Sequence, residues 1–215
     1  MKVFFDVDGV LINGLHAAPD RRKPWDATIE QDLGIRREAF KESFFRSPTA
    51  SYESLMHGCA IGALDLKEAL ASILPAAGYD GSVDTFIAYW FENDSNVNRG
   101  VLDVADRLAR HSDVDLYLAT NQEHYRAAYL WEELDLRRHF IDIFYSAKLG
   151  HSKATQAFFE KVNAELGVSP TEKPLFFDDK LELVRVARNA GWDACVFETV
   201  QDLTEHPRLK NLLRL

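Results

Sequence analysis

Cysteine is scarce in this sequence, and the positions of the two cysteines argue against the common cysteine-based sites. Cys59 and Cys195 stand far apart among the 215 residues, whereas zinc and redox sites use closely spaced cysteines such as CxxC pairs. Two distant cysteines also suit free thiols in a reducing compartment better than a disulfide. We therefore expect buried, reduced cysteines and a cytoplasmic protein.

Positive charge is also under-represented. The chain has 25 lysines and arginines against 34 aspartates and glutamates, which gives a formal net charge of -9. Because nucleic acids attract basic surfaces, this balance argues against nucleic acid as a partner. A small phosphorylated metabolite stays compatible with it, since one local positive pocket is enough to bind a phosphate.

The sequence has no long apolar run, internal repeat or low-complexity segment. No stretch approaches the roughly 20 apolar residues of a membrane-spanning helix, and no charged start precedes an apolar segment. We expect a soluble protein, monomeric or homodimeric, with no membrane partner. Its length allows a substantial core and suggests one domain with an insertion, or two unequal domains.

What the chain does contain is a pattern of short apolar strands and amphipathic helices. Residues 3–5 are predicted to be a buried strand, after which residues 15–97 show helical periodicity and no convincing strand. From residue 99 helices and strands alternate, which is typical of a parallel sheet covered by helices on both faces. Strands are predicted at 115–119, 142–146, 174–177 and 194–196, and helices at 27–33, 36–45, 52–57, 65–74, 83–91, 100–110, 124–133, 152–166 and 181–190.

The first strand must join the sheet that the later strands form, so the helical segment between them is an insertion. The predicted fold class is α/β, with a Rossmann-like parallel-sheet core made of residues 1–14 and 98–215. Residues 15–97 are predicted to form a small helical-bundle domain. Hinges are predicted near residues 13–16 and 94–98, where the chain passes between the two parts.

The most informative stretch is the end of the first strand, Asp6-Val7-Asp8-Gly9. An Asp at the last apolar position of a buried strand is costly unless a cation pairs with it. At the carboxyl end of a strand in an open α/β sheet, Asp6 and Asp8 are expected to face the crevice where such folds bind ligands. Gly9 then lets the backbone turn sharply beside them.

The later strands also end in polar residues. Hydroxyl and amide groups can hydrogen-bond an anion, lysines can neutralise it, and paired carboxylates supply the oxygen ligands that Mg²⁺ prefers. Because parallel strands end at the same edge of a sheet, we expect these groups to converge. They are Thr120 and Asn121 after the second strand, Lys148 and Lys153 after the third, and Asp178 and Asp179 after the fourth.

Together these groups suit phosphoryl transfer to a carboxylate. Magnesium screens the repulsion between a carboxylate nucleophile and a phosphate dianion, while lysine, Thr and Asn donors neutralise the phosphate oxygens. An Asp can form an aspartyl-phosphate. A second carboxylate can protonate the leaving oxygen and later activate water.

In order and spacing, the motifs resemble the four motifs of the haloacid dehalogenase superfamily. They are Asp6-Val-Asp8-Gly-Val-Leu, Thr120-Asn121, Ser146-x₃-Gly150-x₂-Lys153 and Phe177-Asp178-Asp179. The likeness covers essentially the whole chain. The helical insertion after the first motif is similar to that of the helical-cap class, subfamily I.

The resemblance implies a role for each motif residue. Asp6 would be the nucleophile, Asp8 the general acid and base, and Lys153 the stabilising lysine. Thr120, Asn121 and Gly9 would bind the phosphoryl group. Mg²⁺ would be held by Asp6, Asp178, Asp179 and the backbone carbonyl of Asp8.

The activity implied is Mg²⁺-dependent hydrolysis of a small organic phosphate ester. Members that cleave carbon–halogen bonds resemble a pattern without the second Asp, so Asp8 favours ester hydrolysis over dehalogenation. A sugar phosphomutase on the same core is the main alternative. A dehalogenase or a non-catalytic binding module is a weaker one.

Several of these residues also have structural explanations. Asp6 and Asp8 can cap a turn after the strand, and Thr120-Asn121 can be the N-cap of the next helix. Lys153 can be a solvated helix lysine, in which case Lys148 is the alternative active-site lysine.

The chain departs from the family pattern at two places. The family lysine is usually followed by proline, whereas Ala154 follows Lys153. After the Asp pair the family often has a small polar residue, whereas this chain has Lys180, which can weaken magnesium binding or pair with Asp179. In the insertion, the basic triplet at 21–23 can attract an anion but is more often a solvated loop.

Overall fold

The computed structural model describes residues 1–14 and 24–214. Residues 15 and 16 of the first predicted hinge and the basic triplet Arg21-Arg22-Lys23 lie outside this range. The described strands are β1 (Lys2–Phe5), β2 (Asp115–Thr120), β3 (Asp142–Tyr145), β4 (Leu175–Asp178) and β5 (Asp193–Val196). The described α-helices are α1 (Ile29–Leu33), α2 (Arg37–Lys41), α3 (Leu55–Ala60), α4 (Leu66–Ile73), α5 (Val83–Asn93), α6 (Arg99–Leu108), α7 (His124–Ala128), α8 (Ser146–Leu149), α9 (Gln156–Glu165), α10 (Leu181–Asn189) and α11 (Val200–Thr204).

The described strands form one parallel sheet in the order β3-β2-β1-β4-β5. Val3 of β1 lies opposite Leu116 of β2 on one side and Leu175 of β4 on the other. The N-terminal strand is therefore the middle strand of the sheet. This arrangement confirms the predicted α/β fold and brings the ends of β2, β1 and β4 together at one edge.

Helices cover both faces of the sheet, because successive side chains of a strand point to opposite faces. Val3 and Phe5 pack with Val101 and Leu108 of α6 in one buried cluster. Phe4, between them in sequence, belongs to a second cluster with residues of α9 and α10. The near-continuous apolar runs of the strands follow from this burial on two sides.

The inserted helices have a hydrophobic core of their own. Phe40, Phe44 and Phe86 are fully buried there. Trp25 stacks on Trp90 with ring centroids 5.0 Å apart. These aromatic side chains form the core because amphipathic helices bury their apolar faces against one another.

The two segments that join the helical region to the sheet lie side by side. The backbone N–H of Asn98 donates to the carbonyl of Leu11 at 2.7 Å, and that of Asn13 donates to Asn96 at 2.8 Å. Asn13, Asn96 and Asn98 lie within the predicted hinges, and Leu11 lies just before the first one. The domain boundaries at 14/15 and 97/98 stay a prediction.

Several predicted helix ends were wrong by a few residues, for local reasons. The helix predicted at 52–57 begins at Leu55, because the hydroxyl of Ser54 accepts a hydrogen bond from the backbone of His57 and caps it. The helices predicted at 36–45 and 124–133 end in π-helical turns, Glu42–Arg46 and Tyr129–Glu133.

The region after β3 also differs from its prediction. The strand ends at Tyr145 and Ser146 begins the short helix α8. The helix predicted from residue 152 begins at Gln156, because the backbone N–H of Lys153 is bonded to a side chain of another loop and not to its own helix. No helix in the described ranges is long and apolar enough to cross a membrane.

Candidate active site

The polar residues predicted at the strand ends do come together at the carboxyl edge of the sheet. Asp6 directly follows β1, and its backbone N–H donates to the carbonyl of Phe177 at 2.9 Å. Asp178 is the last residue of β4, and Thr120 is the last residue of β2. All three side chains are buried. Their convergence follows from the parallel register of three neighbouring strands.

Lys153 connects the ends of β1 and β4. Its Nζ lies 2.6 Å from Oδ1 of Asp6 and 2.7 Å from Oδ2 of Asp178. The side chain is buried, so it is not a solvated lysine. Asn121 holds the loop in place, because its Oδ1 accepts a hydrogen bond from the backbone N–H of Lys153 at 2.8 Å.

Lys148, the alternative lysine, makes different contacts. Its Nζ is 3.6 Å from Oδ2 of Asp142 and lies over the ring of Phe144. Its side chain is more than one-third exposed. The structure therefore brings Lys153, and not Lys148, to the predicted site.

Burial and neighbouring charges set the titration of this cluster. Burial raises the pKa of Asp6, and the carboxylate of Asp178 adds to the effect, while Lys153 opposes it. Burial alone would lower the pKa of Lys153, but the two carboxylates outweigh it and raise that pKa. The site thus holds a lysinium ion between two acidic groups.

Asp179 supplies an oxygen that has no hydrogen-bond partner among the described residues. Its Oδ1 is buried and unpaired, and burial raises the pKa of this carboxyl group, with Lys180 opposing the shift. A buried unpaired acceptor costs about 1–3 kcal/mol. Carboxylate oxygens of Asp6, Asp178 and Asp179 all lie within 4.8 Å of one another. This set of hard oxygen donors fits a divalent cation.

Gly9 allows the approach of the Asp179 carboxylate. Its φ of +94° favours glycine. A Cβ atom at this position would lie 2.3 Å from Cγ of Asp179. Gly9 therefore shapes the space around the unpaired oxygen.

A small cavity opens beside these residues. Its volume is about 50 Å³, where a single water needs roughly 10–15 Å³. It has room for a small inorganic group but not for a large organic one. It is lined by Asp6, Asp8, Thr120, Asn121, Lys153, Lys180 and Leu183.

Sequence reasoning missed three polar residues that follow Asn121. Glu123 is the N-cap of α7, and its carboxylate accepts hydrogen bonds from the backbone N–H groups of Tyr125 and Arg126. The alternative that Thr120-Asn121 caps this helix is therefore wrong. Glu is not among the preferred N-cap residues, so composition gave no signal for it.

Gln122 and Arg126 complete the group. Gln122 is buried, and its Nε2 lies 2.5 Å from Oδ2 of Asp8. The buried guanidinium of Arg126 bonds to the segment that follows α5. Gln122 directly follows Asn121 of the second motif, and this position in the sequence could have indicated that it lies at the site.

The model of the haloacid dehalogenase-like hydrolases matches residues 3–191. The chain belongs to this family. The match begins in β1 and continues beyond the end of α10, so it includes every polar strand end described above. No significant match was found among curated proteins.

Solved structures with the same fold include a HAD family enzyme and a dehalogenase. A HAD family enzyme from Bacteroides thetaiotaomicron, in complex with magnesium and inorganic phosphate, is 19% identical, with a TM-score of 0.69 over 91% of this chain and 92% of that one. A 2-haloacid dehalogenase from Pseudomonas syringae is 18% identical, with a TM-score of 0.63 over 95% and 97%.

A third solved structure is a putative beta-phosphoglucomutase from Thermotoga maritima. It is 22% identical, with a TM-score of 0.52 over 89% of this chain and 82% of that one. At these identities the likenesses show a shared fold.

Proposed function

We propose that this hydrolase is a Mg²⁺-dependent phosphatase that cleaves a small organic phosphate monoester through an aspartyl-phosphate intermediate. The observation that carries the proposal is the position of Lys153, whose Nζ bridges Asp6 and Asp178 beside the unpaired oxygen of Asp179. A lysinium ion among buried carboxylates is the arrangement expected where a dianion has to approach an acidic nucleophile.

Mg²⁺ would be held by Asp6, Asp178 and Asp179, with the backbone carbonyl of Asp8. When bound, it supplies positive charge that draws a phosphate oxygen towards the acidic site. The three carboxylates meet within 4.8 Å. The magnesium and phosphate bound to the Bacteroides thetaiotaomicron enzyme support this assignment.

Each residue of the site has a proposed role in the reaction. A carboxylate oxygen of Asp6 attacks phosphorus, and Asp8 gives a proton to the oxygen of the leaving alcohol. Lys153, Thr120 and Asn121 stabilise the negative charge on the transferred group, and Gly9 lets the backbone turn beside it. In the second half of the reaction Asp8 takes a proton from the water that releases phosphate from Asp6.

Asp8 also supports ester hydrolysis over dehalogenation, because a departing halide needs no proton. The small size of the cavity supports a substrate whose phosphoryl group alone enters it, while the organic part extends outwards. We propose that residues 15–97 form the cap that contacts this organic part. The main alternative, a sugar phosphomutase, uses the same core chemistry.

The test is phosphate release from a panel of sugar, nucleotide and carboxylic-acid phosphates. The wild type is compared with Asp6→Asn, with and without Mg²⁺, and Lys148→Met serves as a variant outside the cluster. We expect Mg²⁺-dependent release by the wild type and Lys148→Met and none by Asp6→Asn. Sugar-phosphate isomerisation and halide release from 2-haloacids are measured on the same samples.

Each other result identifies a different function. Isomerisation with little phosphate release would replace the proposal with a mutase, and halide release without phosphatase activity would replace it with a dehalogenase. A folded wild type that binds Mg²⁺ but turns over no compound would indicate a binding module.

A further inference from the structure

The buried side chain of Gln122 donates a hydrogen bond to the carboxylate of Asp8, which is an exposed residue. Its Nε2 lies 2.5 Å from Oδ2 of Asp8, and its own side chain is 4% exposed. Asp8 is an exposed residue in the turn after β1, where a carboxylate has several accessible rotamers. A short bond to a buried amide restricts that freedom.

The backbone of Gln122 is itself fixed. Its carbonyl accepts hydrogen bonds from the backbone N–H of Ala147 at 3.1 Å and from the hydroxyl of Ser146 at 3.2 Å. The Ser146 hydroxyl also lies 2.5 Å from the carbonyl of Ala60 at the end of α3. Gln122 therefore extends from a loop that is held by both α8 and the helical region.

We propose that Gln122 is a positioning residue that determines which oxygen of Asp8 exchanges protons with the substrate; this rests on the proposed phosphatase function. The N–H₂ group of an amide can only donate a hydrogen bond, so Oδ2 of Asp8 is the acceptor in this contact. The proton that Asp8 delivers is then carried on Oδ1. Gln122 aims that oxygen at the leaving group.

The proton balance of the reaction is unchanged by this role. As the bond between Asp6 and phosphorus forms, the ester P–O bond breaks and its electron pair goes to the leaving oxygen. That oxygen takes the proton from Oδ1 of Asp8. When water attacks the aspartyl-phosphate, Oδ1 takes a proton from the water, and Asp8 returns to its starting state.

The test compares two substrates that differ in their need for a proton. An alkyl phosphate releases a strongly basic alkoxide, whereas p-nitrophenyl phosphate releases a stable phenolate without help. The quantity compared is kcat/KM, because it reports the steps up to formation of the aspartyl-phosphate and leaves out the later attack of water, which is common to both esters. In Gln122→Met, kcat/KM for the alkyl ester is expected to fall about tenfold or more, a fraction of the 10²–10⁴ that general acid catalysis contributes. The kcat/KM for p-nitrophenyl phosphate is expected to change by less than about threefold.

A double-mutant cycle shows whether Gln122 acts through Asp8. In an Asp8→Asn background, Gln122→Met is expected to cause no further loss with the alkyl ester, because the group it positions is already gone. Gln201→Met makes the same chemical change at an exposed residue of α11 and is expected to leave both rates unchanged. Gln122→Leu, which also removes the donor without adding a charge, replaces Gln122→Met if that variant does not fold.

The outcomes separate this inference from the proposed function. A wild type that hydrolyses neither ester in Mg²⁺ would overturn the phosphatase assignment itself. An active wild type with equal slowing of both esters in Gln122→Met, or with additive losses in the double variant, would overturn the positioning role alone. Selective, non-additive loss supports it.

Discussion

The guanidinium of Arg126 lies 2.7 Å from the carbonyl oxygen of Asp94, at the point where the helical region returns to the sheet. The same group donates to the carbonyl of Phe91 at 3.0 Å and to the hydroxyl of Ser95 at 2.9 Å. It also lies over the rings of Phe91 and Tyr129. One side chain of the sheet-bearing part therefore holds the end of α5 and the linker after it.

Replacing Arg126 with methionine is expected to destabilise the protein by about 2–4 kcal/mol, because the buried carbonyl group of Phe91 and the part-buried one of Asp94 lose a donor. The measurement is the free energy of unfolding in urea. Arg46→Met is the matched control, since Arg46 is half exposed and pairs with Glu38 on the surface, where an ion pair contributes about 0–1 kcal/mol. Equal losses in the two variants would contradict the role of Arg126.

Lys153→Met is expected to lower stability in magnesium-free buffer by about 3–5 kcal/mol, because it leaves Asp6 and Asp178 without their shared cation. Lys148→Met removes a partly exposed charge from the same segment and is expected to cost about 1 kcal/mol or less. Urea denaturation of both variants checks this. A loss in Lys153→Met no larger than in Lys148→Met would show that the buried cluster does not depend on the lysine.

Comparing Gly9→Ala with Gly150→Ala distinguishes the effect of backbone strain from the effect of crowding at the proposed metal site. Both glycines have positive φ, but an added Cβ meets Asp179 only at Gly9 and has open space at Gly150. Gly150→Ala is expected to lose about 1–2 kcal/mol of stability because of its positive φ, and Gly9→Ala at least as much. Only Gly9→Ala is expected to bind Mg²⁺ about tenfold or more weakly.

Isothermal titration of the folded variants with magnesium chloride gives the two affinities. If Gly150→Ala lost as much affinity as Gly9→Ala, the effect would come from strain and not from the displaced carboxylate.

The buried carboxyl group of Glu123 is expected to make the stability of the protein depend on pH. Burial raises the pKa of this carboxyl group to about 7, although two backbone N–H groups and Arg126 oppose the shift. In the unfolded chain a glutamate titrates near pH 4.3. The folded state keeps the proton over a range where the unfolded state has lost it, so this group makes stability fall as pH rises towards about 7 and then level off.

Glu123→Gln is expected to remove this component. The difference in free energy of unfolding between the variant and the wild type should shift by about 3 kcal/mol in favour of the variant when the pH is raised from 5 to 8. Urea unfolding at a series of pH values gives both curves. Parallel curves for the two proteins would refute the assignment.

The sheet and the motif residues could be predicted because their signals are local. A short apolar run that ends in Asp or Thr is visible in the sequence, and parallel strands bring such ends to one edge. The partner of Asp8 could not be predicted in this way, because Gln122 is 114 residues away. The contact depends on how the loop after β2 packs against α8.

The same reason explains the helix ends that were predicted wrongly. Ser152 and Lys153 belong to a turn, because their polar groups bond to Asn121 in another loop. The spacing of apolar residues along a sequence carries no information about such a partner. Arg126 was missed likewise, since its acceptors lie 31 to 35 residues earlier in the chain.

The central position of β1 also affects how the protein forms during synthesis. β1 is made early, but Val3 pairs with Leu116 and with Leu175, and contacts between such distant residues are slow to form. The inserted helices have local contacts and can pack while the rest of the chain is still being made. Asp6 therefore reaches its buried setting only after β4 has been made, and the unpaired apolar strand before it is the segment most exposed to aggregation until then.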